Sequence, residues 1–147
     1  MAATTTDRDT QERYLPSGER HQFLGTDSTQ YLKGEMVALD TDTGKLVKVT
    51  QAGTNLLIIG RCEENYLTGT SNTYRVKCKS GRFKWANGDT IVAADIGKPC
   101  FGFDNQTVKK TAASGGAYAG VIYDVDTDGV WVTHTWPNTG LPASTSA

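Results

Sequence analysis

The sequence predicts an all-β protein, a single small β-sandwich or β-barrel, on three observations. Turn formers are dense: there are 16 glycines, Asp and Thr recur throughout, and the long Leu/Ala/Glu/Lys runs that build helices are missing. Short apolar stretches separated by turn signals recur at roughly ten-residue spacing, the pattern of a sandwich or barrel. One hairpin, from Val121 to His134, can be registered by hand.

The chain divides into three regions. Residues 1–30 are polar and of mixed charge, with Asp7, Arg8, Asp9, Glu12, Arg13, Glu19 and Arg20, and their clearest apolar residues are two isolated pairs, Tyr14-Leu15 and Phe23-Leu24. Such a segment buries too little apolar surface to offset its chain entropy, which predicts an extended N-terminal arm that is flexible or orders on a partner. Removing residues 1–24 is then expected to leave the body folded. Residues 31–136 form that body, and Pro137 to Ala147, rich in Pro, Ser, Thr and Ala, reads as a C-terminal tail.

Within the body, Thr41–Gly44 reads as a turn joining Met36–Leu39 to Lys45–Val49. Leu56–Ile59 is continuously apolar, as a central strand covered on both faces is. Ala93–Ile96, stopped by Gly97 and Pro99, predicts one helical turn. A hairpin centred on Asp104-Asn105 places Phe101, Phe103 and Val108 on one side. In the clearest hairpin, a two-residue turn at Asp128-Gly129 pairs Val125 with Val132, Tyr123 with His134 and Val121 with Trp136. Asp124–Thr133 and Asp126–Trp131 fall on the other face.

Charge and cysteine usage narrow the function. With 15 basic and 16 acidic residues the net charge is −1, which argues against tight non-specific DNA binding. Cys62, Cys78 and Cys100 match no zinc spacing and lie far from His21 and His134, so they read as buried, reduced thiols. Met1–Thr10 lacks the apolar run of a signal peptide, and no stretch approaches the roughly 20 apolar residues that span a bilayer. A soluble protein made in the cytoplasm is expected.

Three constellations invite a chemical reading. Asp124-x-Asp126-x-Asp128-Gly129 matches the opening of a calcium loop, but the twelfth position is Thr135 rather than Glu and the flanks alternate as strands, so a hairpin turn explains it better. In Tyr74–Trp85, a tight turn at Ser80-Gly81 sets Val76 and Cys78 against Trp85 and Phe83. The other face then carries Arg75, Lys77, Lys79, Arg82 and Lys84, and opposed like charges favour an acidic partner or a solvated edge. Alternatively, Gly81 marks a bulge in one bent strand and the patch weakens. The hairpin register leaves Trp131 on a polar face, available to an oligomer contact or a ligand. Catalysis finds no elbow, metalloprotease or phosphate-loop motif, so no enzyme and no cofactor are expected.

The segments Tyr31–Leu39, Gly44–Val47, Ile59–Glu64, Lys79–Asn87, Ala94–Cys100, Asp104–Val108 and Ala119–Val132 occur in this order and together resemble the capsid cement (head decoration) proteins of tailed double-stranded DNA phages. The resemblance covers about residues 31 to 135, and the arm and tail exceed what the family's core requires. It implies a non-enzymatic β-module on the virion capsid surface. There it clamps the major capsid protein as a homodimer or homotrimer, with no cofactor, nucleic acid or membrane. Candidate partner contacts are Tyr14, Leu15, Phe23 and Leu24 in the arm and Arg75, Lys77, Lys84 and Trp131 in the body. The alternative is a carbohydrate-binding or fibre-anchoring β-module resting on Trp131 and the tyrosines.

Overall fold

Turn residues set off short alternating runs, and the computed structural model, which describes residues 2–13, 19–50, 55–112 and 116–137, forms strands from them. These are β1 (Glu12–Arg13), β2 (Arg20–Leu24), β3 (Gln30–Tyr31), β4 (Met36–Asp40), β5 (Leu46–Lys48), β6 (Leu56–Cys62) and β7 (Tyr66–Leu67). They continue as β8 (Arg75–Lys79), β9 (Gly81–Asn87), β10 (Pro99–Gly102), β11 (Thr107–Lys109), β12 (Tyr118–Asp126) and β13 (Gly129–His134). A single 3-10 turn, Ala93–Asp95, stands where one helical turn was expected.

The all-β expectation holds. Strands β9, β11, β10, β12 and β13 pair in that order and β13 returns to β9, closing a five-stranded barrel to which β1 adds on β9. A second sheet runs β2-β8-β6-β4-β5, and a parallel bridge between Gly25 and Leu46 ties its two ends. A small third sheet pairs β3 with β7.

Two apolar clusters follow from this arrangement. Phe83, Trp85, Cys100, Val108, Ile122, Val130 and Val132 of the barrel pack with Met36, Ala38, Val49 and Ile58 of the second sheet and its flank. Tyr31, Val37, Leu46, Ile59, Cys62, Val76 and Cys78 form the other cluster. The continuous Leu56–Ile59 run therefore serves two faces, with Ile58 in one core and Ile59 in the other. Where the barrel meets the second sheet, the Gly102 backbone lies so close that a Cβ there would sit 2.6 Å from Val49 Cγ1 and 2.8 Å from Ile58 Cδ1.

The strand that joins the two sheets corrects the expected Ser80-Gly81 hairpin. Only Ser80 separates β8 from β9, yet β8 belongs to the second sheet and β9 to the barrel. Gly81 takes φ +150, a glycine conformation, and the buried Ser80 gives its N–H to the Glu19 carbonyl at 2.9 Å. The result is the bent-strand alternative. Val76 and Cys78 enter one core, Phe83 and Trp85 the other, and Lys77 and Lys84 do not oppose each other.

The β12–β13 register also differs from the expected one. Asp126 pairs with Gly129, so the turn is Thr127-Asp128, and Val125 meets Val130 while Asp124 meets Trp131. This slip of two residues preserves the faces near the turn. Gly129 has no positive φ to supply; a Cβ there would meet Lys84 Cγ at 2.8 Å, so it makes room for the lysine stem. A bulge at Tyr123 then inverts the rest of β12: Ile122 pairs with Val132 inside, and Val121 and Tyr123 turn outward. In the β10–β11 hairpin, Gly102 rather than Phe101 opposes Val108, and Phe101 joins Ala112 and Tyr118 in a satellite cluster.

Residues 2–13 and 19–30 do not hang off the body as an arm. Strand β1 pairs with β9 at Glu12–Phe83 and Arg13–Arg82, and β2 pairs along all of its length with β8. Strand β2 reads Arg-His-Gln-Phe-Leu, whose half-buried His21 and Phe23 alternate with outward Arg20 and Gln22. Its inward residues supply the burial that isolated pairs seemed unable to provide. Deleting residues 1–24 would thus strip an edge strand from each of the two larger sheets. Of the expected tail, residues 138–147 lie outside the described residues, while Trp136 packs edge-on against Phe23 at 5.6 Å.

Gly102→Val should lower stability by about 1–3 kcal/mol through overpacking, which is about 2–4 °C in melting temperature per kcal/mol at this size. Gly69→Ala, where an added Cβ meets nothing within 4 Å, should leave the melting temperature unchanged. Equal thermal midpoints for the two variants would show that the sheet junction tolerates the added methyls.

Candidate interaction surface

The expected contact residues separate into three places. Tyr14 and Leu15 lie outside the described residues. Lys84 and Trp131 sit together on the barrel, and Phe23, Leu24, Arg75 and Lys77 sit together on the β2–β8 edge.

Trp131 is not the exposed platform its polar-face placement predicted. It is 4% exposed because Arg13, carried in by β1, lies 4.2 Å over its ring and Asp126 accepts its indole N–H at 2.8 Å. Lys84 is also withdrawn from partners. It bonds Asp126 at 3.2 Å and Asp128 at 2.5 Å, and these carboxylates, Asp128 first, hold its pKa above the ordinary lysine value. Arg13 closes the group with an ion pair to Asp124 at 2.7 Å. Hydrogen bonds from Arg13 and Trp131 hold the Asp124 and Asp126 carboxyls below the usual range. The apparent calcium motif therefore spends its three carboxylates on Arg13, Lys84 and Trp131, and no cluster of metal ligands occurs among the described residues.

Two buried polar groups that could pass for catalytic ones are tied into the fold. His134 is fully buried; its Nδ1–H donates to the Ala119 carbonyl and its Nε2 accepts from the Trp85 indole N–H, both at 2.8 Å. Burial pulls its pKa down to about 4, so the ring is neutral. Glu35, also fully enclosed, accepts from the Leu32 N–H and from Asn105 Nδ2 at 2.8 Å each, with Lys48 Nζ 3.6 Å away, and burial raises its pKa. Asn105 in turn accepts from the Thr4 N–H at 3.0 Å and donates to the Thr4 carbonyl at 3.2 Å, which pins the N-terminal segment. Cys62, Cys78 and Cys100 are buried free thiols, and burial pushes the Cys62 pKa to about 12.

The β2–β8 edge is different. Arg75 and Lys77 point outward from β8 and are paired in register with Leu24 and Gln22, while Arg20, Lys33 and Lys77 line a groove of about 700 Å³ together with Glu63, whose carboxylate is taken by Arg61. Arg75 Nη2 donates to the Gln22 carbonyl at 2.9 Å. Neighbouring Lys79 and Arg61 are neutralised by Glu12 and Glu63 at 2.6 Å. By contrast Arg20, Lys33, Arg75 and Lys77 form no ion pair among the described residues. None of the remaining residues is Asp or Glu. Arg20 and Lys33 were not singled out from the sequence, although the alternation in residues 20–24 was a usable strand signal.

What fold and surface define together is an all-β protein with a closed five-stranded barrel and a basic edge whose four cations form no ion pair among the described residues. No protein-family model matches the chain, and no curated protein or solved structure matches it either.

The unfolded histidine titrates near 6.5 and the folded one near 4, so in that window the unfolded chain holds the extra proton and stability falls as pH falls. Loss of about 3 kcal/mol from His134 is expected between those limits. His134→Gln should be less stable near neutrality yet show a flatter decline on acidification in urea titrations. Parallel pH profiles for parent and variant would refute the assignment.

Proposed function

We propose that this chain is a capsid cement protein, which binds the outside of a phage head and stabilises contacts between major capsid subunits. The observation that carries the reading is the ordered series of segments from Tyr31 to Val132 that resembles the cement proteins of tailed double-stranded DNA phages. The resembling segments fall on parts that build the fold. Lys79–Asn87 is the bend with β9, Asp104–Val108 turns β10 into β11, and Ala119–Val132 is most of β12 and β13. That coincidence supports the reading, because a resemblance confined to loops would say little about architecture.

The physical character of the surface is compatible with such a role. Binding a lattice at many copies lets modest contacts per protomer add into large avidity, so a shallow charged edge can be enough. In this reading the protein has no cofactor and no catalytic residue, sits on the virion surface, and meets the major capsid protein as a homodimer or homotrimer. Trp131, covered by Arg13, offers no ring face to a sugar, so the carbohydrate-binding alternative gains no support from it.

Purified protein mixed with undecorated expanded heads should co-sediment to a saturable stoichiometry, with added salt weakening the association. Protein that remains wholly in the supernatant across a range of salt would sink the reading.

A further inference from the structure

We propose that the β2–β8 edge is a docking groove for an extended, acidic peptide segment of a protein partner, held by Arg20, Lys33, Arg75 and Lys77. The inference deepens the cement reading and rests on it only in taking that segment to belong to a capsid protein.

All 16 acidic residues lie in the described segments, and the ion pairs they make go to Arg13, Lys48, Arg61, Lys79, Lys84, Lys98 and Lys110. Seven of the other eleven cations are matched in this way, while four exposed ones that form no ion pair lie on one edge, with Arg20, Lys33 and Lys77 around the groove and Arg75 beside it on β8. In a chain of net charge −1 this clustering is local. Like charges held near one another raise the potential of a concave surface and favour an anionic occupant.

Backbone geometry selects the class of anion. Strand β2 is the terminal strand of its sheet and pairs only with β8, and below the Gly25–Leu46 bridge its outer edge can add another strand along Arg20–Leu24. An extended peptide placed there would present alternate side chains to the basic face, with a repeat matching the outward positions 20, 22 and 24 of β2 and 75 and 77 of β8. Residues 14–18 and 138–147 contain no Asp or Glu. Duplex nucleic acid fits less well, because affinity there scales with the number of phosphates neutralised and only four cations are grouped.

The test uses a fluorescein-labelled peptide, Glu-Val-Glu-Thr-Glu-Val-Glu-Thr, its all-Gln counterpart, and a short DNA duplex, each titrated into the full chain by fluorescence anisotropy. The acidic peptide should bind with micromolar affinity that weakens with salt, and the Gln peptide and the duplex should bind at least about tenfold more weakly. Arg20→Glu/Lys77→Glu should lose about tenfold in peptide affinity while keeping the parental melting temperature, and Lys109→Glu, remote from the groove, should keep its affinity. No peptide binding, equal binding of the duplex, or unchanged affinity in the double variant would overturn the proposal.

The same variants separate this proposal from the cement reading. If parent and double variant co-sediment equally with heads, the groove is not the capsid contact and the inference fails while the cement reading stands. If the peptide binds as expected but the parent ignores heads, the groove stands and the partner is another acidic protein.

Discussion

The fold depends on one ribbon that serves two sheets. Strands β8 and β9 are nearly continuous in sequence, and the chain passes from the second sheet into the barrel through Ser80 and Gly81 alone. That passage needs a residue without Cβ at φ +150 and a buried serine whose polar groups are engaged by Glu19 and His21. Once the bend is set, the faces of β9 are fixed. Phe83 and Trp85 point into the barrel, and β9 then pairs with β13 on one edge and with β1 and β11 on the other. Glycines with the same extended positive φ recur at Gly60 and Gly120, where a Cβ would run into the carbonyls of Lys79 and Thr133 on neighbouring strands.

Buried polar groups then connect what the apolar clusters leave separate. His134 links the Trp85 indole to the β12 backbone across the barrel interior. Glu35 and Asn105 draw together the start of β4, the β10–β11 turn and the N-terminal segment. Arg8 lies 5.4 Å over the Trp85 ring and donates to the Lys84 carbonyl, so the N-terminal segment is held from several sides. Among the described residues no buried side-chain nitrogen or oxygen lacks a hydrogen-bond partner. A small β protein gains specificity of register this way, because each buried donor tolerates only one arrangement of its acceptor.

The character of the surface follows from which charges are left over once the internal ion pairs are made. The three aspartates before the β12–β13 turn look like ligands in the sequence and act as internal counter-ions in the structure. Lys84 and Lys77 looked like members of one basic face; the bend between them put Lys84 against Asp126 and Asp128 and left Lys77 in solvent. The basic surface that remains is therefore smaller than the run Arg75–Lys84 suggested and displaced toward β2, where Arg20 and Lys33 complete it.

The sequence by itself determined the β class, the Thr41–Gly44 turn, a strand at Leu56–Ile59 and the helical turn at Ala93, because these depend on local turn chemistry and on short apolar runs, although Leu57 is exposed and only Ile58 and Ile59 fill the two cores. It also determined that Cys62, Cys78 and Cys100 would be buried thiols. Tertiary structure decided the rest. Whether Gly81 was a turn or a bend depended on which sheets lay on each side of it. The β12–β13 register depended on the Lys84 stem that only Gly129 could accommodate. The placement of Glu12–Arg13 and Arg20–Leu24 depended on two strands, β9 and β8, far ahead in the chain, whose edges β1 and β2 pair with. Local propensity cannot weigh such a long-range partner, since the hydrogen bonds that order the segment belong to neither stretch alone.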